Sequence, residues 1–162
     1  MSLGITTAKD YRKKTEVELA DLAKAIDNSR TAINAVTTVY HLHEWLWGKQ
    51  IKPLNPRQVE NPDTSIVTIV KNKKEFVRWL EKNCPHFELI RDLANGLKHA
   101  HPAHFGGQVG GWGVGPYGVG PYGSSYLLID LGAAHEDRYL VASDVIAEAG
   151  RFMVNLAKKL GA

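Results

Sequence analysis

From Thr7 to about Asp27, apolar residues recur at three- to five-residue steps (Tyr11, Val17, Leu19, Leu22, Ile26), the spacing of an amphipathic helix with those side chains inward. Thr7 and Asp10 stand where a capping pair would start it. Asn28 and Ser29 then break the pattern. A second helix is expected from Arg30 to Trp47, with Ile33, Val36, Tyr40 and Trp47 on one stripe and Gly48 as its terminator. Residues 49–71 contain Pro53, Pro56 and Pro62 and read as an irregular connection, in which Ser65 to Val70 (SIVTIV) has the composition of a short strand.

Asn72 followed by Glu75 signals the next helix start, with Phe76, Trp79 and Leu80 on one face until Asn83. Pro85 suits the first turn of a fourth helix over about His86 to His99, with Phe87, Ile90 and Leu97 inward. Between Gly106 and Gly123 half the residues are glycine, and VGPYG occurs twice in tandem. Such a segment offers too little aliphatic surface to offset its ordering entropy, so a mobile insertion is expected at about 105–125. A platform of Trp112, Tyr117 and Tyr122 stacking on bases is the functional alternative. Tyr126–Asp130 and Arg138–Ala142 flank a turn-rich stretch and predict a β-hairpin. Ser143 then caps a last helix whose core face is Val145, Ile146, Phe152, Met153, Leu156 and Leu160. The predicted architecture is mainly α: one domain of 162 residues, an up-and-down bundle of about five helices with a small hairpin before the last.

Composition adds limits. Hydrophobic content of 44% with 23% charged residues is that of an ordinary globular chain, and no apolar run is long enough to span a bilayer. The charges of the N-terminus precede no apolar segment, so no secretory signal is expected. Cys84 is alone, which excludes an intrachain disulfide and suits a reducing cytoplasm. The net charge of +3 permits an anionic partner without demanding one.

The candidate chemistry lies in two polar clusters. On a helix, Arg91, Asn95 and His99 advance about 40° per step, and Lys98 falls about 20° to the other side of Arg91, so all four share a face. Two cations beside a neutral imidazole suit a phosphodiester: they hold negative charge on phosphate while the imidazole moves a proton. A satisfied polar network bracing the bundle from within accounts for the same four residues. In VYHLHEWLW, His41, Glu44 and Trp45 fall at one-turn spacing while His43 points elsewhere. Five of the seven histidines (His41, His43, His99, His101, His104) lie in two short runs, which keeps a metal site open, although neither run has the zinc-protease pattern. The plainer alternative is that His41 or His99 donates to a carboxylate such as Glu44 or Asp92 and orients the helices.

The pair HLHEWLW (His41 to Trp47) and RDLANGLKH (Arg91 to His99) resembles the HEPN-like superfamily, in particular a group of uncharacterised bacterial and phage proteins with H-x-x-D/E-W and A-N-x-x-K-H motifs. The resemblance implies a helical bundle that commonly dimerises, RNA as ligand, metal-independent RNA cleavage without a cofactor, and a toxin or defence setting with a cognate protein partner. It also implies catalytic roles for Asn95 and His99, with Lys98 as the basic residue before the histidine. The family's arginine position just before the polar residue is Ala94 here, so its phosphate role passes to Arg91, to Lys98 or to a partner subunit. A non-catalytic protein in which both motifs are structural, and a histidine-based metal-binding accessory protein, are the competing expectations.

Overall fold

The computed structural model describes residues 4–98, 105–109, 116, 118–121 and 123–162, with the side chains of 97, 98 and 105–109 outside that description. Among the described residues there are five α-helices: α1 (Ala8–Lys24), α2 (Ser29–Leu46), α3 (Lys73–Asn83), α4 (Phe87–Lys98) and α5 (Ala142–Lys159). No described helix is long and apolar enough to cross a membrane. The protein is a mainly α bundle with a hairpin before its last helix, as its patterning predicts.

Two of the starts are those expected. Thr7 Oγ1 accepts from the Asp10 amide at 3.1 Å while the Asp10 carboxylate accepts from the Thr7 amide at 3.0 Å, so two orphan donors of the first turn are satisfied reciprocally. At α3, Asn72 Oδ1 accepts from the Glu75 amide at 3.0 Å. Other starts differ. Val141 rather than Ser143 precedes α5, because β5 runs directly into the helix and leaves Ser143 inside its first turn. Pro85 lies in the turn before α4, where His86 takes a left-handed φ of 58°.

Gly48 does not end α2. The helix widens into a π turn, Trp47–Ile51, closed by a 2.9 Å bond from the Lys52 amide to the Trp47 carbonyl. In a regular α-helix Ile51 would stand about 140° from Leu46. The wider turn rotates it back, and Ile51 is fully buried. Trp47 stacks on Phe76 of α3 at 6.1 Å.

α2 and α5 form the centre and touch α1 and α4 on either side. Their buried faces carry Val36, Val39, Leu42 and Leu46 from α2 and Ile146, Phe152, Met153 and Leu156 from α5. Small residues let the axes approach: Ala32 and Ala35 are fully buried, and a Cβ on Gly150 would come within 2.7 Å of both δ-carbons of Leu19. Val17 and Ile33 are exposed rather than inward. Ala8, Tyr11, Thr15, Leu19 and Leu22 define the true stripe of α1, and Val17 sits about 200° from Thr15.

The strand expected in SIVTIV is β2 (Val67–Ile69), paired antiparallel with β1 (Gln58–Glu60), a strand within the stretch expected to be an irregular connection. This arm is anchored at its base. Val59 and Val70 are buried, Asn61 Nδ2 donates to Asn83 Oδ1 at 3.0 Å, Arg151 grips the Asp63 carboxylate at 2.9 and 3.2 Å, and Lys159 pairs with Glu60.

The predicted hairpin is β4 (Tyr126–Asp130) with β5 (Tyr139–Val141). A third strand, β3 (Phe105–Val109), pairs with the other edge of β4, so the start of the segment expected to be a loop is sheet instead. Backbone pairing to an apolar strand needs no aliphatic side chains of its own, which is why composition hid it. In the second VGPYG copy, Gly120 has a φ of 82° and lies against the Tyr126 ring, whose hydroxyl donates to the Val119 carbonyl at 2.6 Å. Trp112, Tyr117 and Tyr122 lie outside the described residues.

Two substitutions separate core from surface. Phe152→Ala, which empties a site between α5 and Trp79, is expected to cost about 3–5 kcal/mol in urea unfolding. Val17→Ser, on the open side of α1, is expected to change stability by no more than about 0.5 kcal/mol.

Candidate functional site

α4 turns Leu93 and Ala94 inward and Asp92 and Asn95 outward, with Arg91 half-buried between them. The Arg91–Asn95 face therefore looks to solvent, which goes against the reading of Arg91 and Asn95 as part of a polar network bracing the bundle from within. The reason is local: Phe87, Ile90, Leu93 and Ala94 take the inward arc of α4, and a residue at position 95 is carried about 100° past Ala94. Lys98 belongs to α4 by its backbone; its side chain, and all of His99, His101 and His104, lie outside the described residues.

The Arg91 guanidinium is held at two points. Its Nη1 donates to Glu81 of α3 and its Nε to Asp92 at 3.3 Å. Partial burial works against the charge, but Asp92 and Glu81 outweigh it and raise the arginine's pKa above its ordinary value. Two of the five N–H donors of an arginine are thus committed, and the fork keeps donors for a further anion. Glu81 could not be found by spacing, because it reaches Arg91 across the α3–α4 turn.

The second cluster is separate. His41 Nδ1 donates to Glu44 Oε2 at 3.4 Å, the imidazole-to-carboxylate contact expected within α2, and Lys73 Nζ donates to Glu44 Oε1 at 2.9 Å from the start of α3. That Lys73 hydrogen bond is the main cause of a Glu44 pKa below the usual carboxylate value. Trp45 stacks on Tyr11 of α1 with ring centroids 5.3 Å apart and planes 19° from parallel. Burial pushes the Tyr11 hydroxyl up to about 12. His41, Glu44 and Trp45 thus tie α2 to α3 and α1. Among the described residues no hydrogen bond or ion pair joins them to Arg91, Asp92 or Asn95.

The histidine between the clusters is His43, which is only 2% exposed. Its Nδ1 donates to the Tyr40 carbonyl, which fixes the neutral tautomer with Nε2 unprotonated. The ring meets Phe87 of α4 edge-on at 5.8 Å and Tyr40 at 4.8 Å. Burial lowers its pKa, aided by Lys73 and His41, against the opposing pull of the Tyr40 carbonyl and Glu44. The signal for its burial was present: His43 follows Val36 and Tyr40 on the stripe that ends at Trp47.

Neither metal nor thiol chemistry gains support from these positions. Among the described residues no three His, Cys, Asp or Glu side chains converge as a metal site. Cys84 is buried and burial pushes its thiol up to about 12, so it is an inert core thiol rather than a nucleophile.

His43 sets a pH dependence. Because its folded pKa is depressed, the unfolded chain takes up the proton first. The stability it contributes is whole above the ordinary imidazole value of about 6.5 and is lost as pH falls from there towards the lower folded value. Urea unfolding of the wild type and His43→Gln, between about pH 7.5 and about pH 5.5, is expected to show the variant less stable at the higher pH and the gap narrowing at the lower.

No known protein family, curated protein or solved structure matches this chain.

Proposed function

We propose that this protein is an HEPN-like RNA-binding protein that acts as a metal-independent endoribonuclease, with α4 as its reactive face. The observation that carries the reading is the outward polar face of α4, where Arg91 is oriented by two carboxylates and Asn95 is exposed one turn later. An internal brace would bury these groups and satisfy them within the bundle; a site for an external anion leaves them open.

In this reading His99 is the general base or acid, Arg91 and Lys98 contact the phosphate, and Asn95 orients the phosphate or the imidazole. Without a metal the available nucleophile is the RNA 2′-hydroxyl. The His99 imidazole takes its proton, the oxygen bonds to the adjacent phosphorus, and the P–O5′ bond breaks as the leaving oxygen is protonated. The products are a 2′,3′-cyclic phosphate and a 5′-hydroxyl. A homodimer, with the second subunit supplying a further cation, belongs to the same reading, as does a cognate protein that restrains the activity in the cytoplasm.

A second reading is favoured by the other cluster. His41, Glu44 and Trp45 are engaged in helix-to-helix ties through Lys73 and Tyr11. If the A-N-x-x-K-H motif serves the same end, the protein is a non-catalytic helical interaction module.

Incubation with RNA in chelator, for the wild type beside His99→Ala, decides between them once circular dichroism shows both folded. Cleavage with cyclic-phosphate ends, reduced about 100-fold or more in the variant, is expected. RNA left equally intact by both proteins rejects catalysis and leaves the interaction module.

A further inference from the structure

The β1–β2 arm carries a feature that neither cluster uses. Among the described residues, four of the six exposed large hydrophobics lie on it or at its foot: Leu54, Ile66, Val67 and Ile69, of which Ile66 and Ile69 are 64% and 63% exposed. Val67 and Ile69 are two residues apart in β2 and so share a face. Among the described residues no strand lies beyond β2, and its edge away from β1 has no strand partner.

Beside this face runs an open groove of about 530 Å³, lined by Lys52, Leu54, Arg57, Ile69, Val70 and Lys71 among others, with no carboxylate among the described residues of its lining. Arg57 is fixed there by its own backbone: Nε donates to the Lys52 carbonyl at 3.1 Å and Nη1 to the Lys71 carbonyl at 2.9 Å. The acids of the arm are used elsewhere, Asp63 on Arg151 and Glu60 on Lys159, and Glu75 turns its carboxylate to the Lys71 amide. Three cations therefore face solvent beside an aliphatic strip. Leu54 also borders a second depression that Val67 lines, so the apolar surface continues along the arm rather than closing into a small-ligand pocket.

We propose that the arm is a docking surface for an extended acidic and aliphatic segment of a partner protein. Such a segment adds to the free edge of β2, seats its aliphatic side chains against Leu54, Val67 and Ile69, and sets its carboxylates on Lys52, Arg57 and Lys71. Charge complementarity selects an anion, and the lining favours peptide over nucleic acid: among the described residues the apolar part of the walls is aliphatic, with no aromatic ring on which a base could stack. The arm's anchorage to α3 and α5 makes it a preformed edge, which limits the ordering cost of binding. This proposal does not rest on the RNA reading of α4.

The test uses the full chain labelled with nitrogen-15 and a synthetic peptide of alternating Asp and Leu or Val residues. The expected result is saturable amide shifts confined to residues 52–57 and 66–71. Affinity is expected to fall about tenfold or more in Lys52→Glu/Lys71→Glu and in Ile69→Ser. The lysine pair is chosen because among the described residues their exposed side chains make no hydrogen bond or ion pair, whereas Arg57 bridges two carbonyls; melting curves check each variant. Three results overturn the proposal. One is an absence of shifts at millimolar peptide. Another is binding indifferent to Ile69→Ser, or matched by an oligouridylate at the same residues, which marks plain polyanion attraction. The third is a concentration-dependent dimer of the free protein abolished by Ile69→Ser, which gives the surface to a second copy. The His99 assay moves with none of these.

Discussion

Burial of α2 on three sides is the constraint on which this structure depends. A helix that contacts α1, α4 and α5 has little circumference left for water, so its polar residues must be satisfied inside the protein. Thr38 meets that demand by donating to the Asn34 carbonyl at 2.6 Å and accepting from Lys14 of α1 at 3.1 Å. His43 meets it through the Tyr40 carbonyl and stays neutral. His41 and Glu44 lie on an open arc, where they pair with each other and Lys73 reaches Glu44. One motif of seven residues thus splits by azimuth alone, its buried imidazole serving packing and its outer pair serving as a tie to α3.

The same division explains how the two candidate clusters differ. On α2 the polar residues are taken up within the helix itself or by Lys14 of α1 and Lys73 of α3. On α4 they look outward, and the carboxylates near Arg91 fix the guanidinium without enclosing it. A cation held in place but left accessible is what transition-state stabilisation of a phosphate requires, because little reorganisation remains when the charge arrives. That physical contrast, rather than the motifs as strings, separates the α2 cluster, which ties helices together, from the α4 face proposed above as a phosphate site.

Features governed by neighbours in sequence were legible from the chain. The Thr7–Asp10 box, the Asn72 cap and the amphipathic faces of α3 and α4 follow from spacing within one or two turns. What failed was whatever depends on a partner far along the chain. Val17 and Ile33 fit a loose apolar period, but which arc is covered is decided by where α5 and α4 pack. β1 has no strand pattern of its own and exists through its pairing with β2, as β3 does through β4. Glu81 and Lys73 were invisible as partners of Arg91 and Glu44 because spacing within one helix does not report contacts between two. His43, by contrast, was readable: the stripe from Val36 to Trp47 passes through it.

The π turn after α2 has a geometric consequence beyond burying Ile51. It amounts to one additional residue wound into a helix, and that residue changes the bearing on which the chain leaves the bundle. Everything from Lys52 to Lys71 departs on that bearing and returns to α3 at Asn72. The aim of the cationic groove is therefore set jointly by the winding of five residues at the end of a buried helix and by the bonds that tie the arm to α3 and α5.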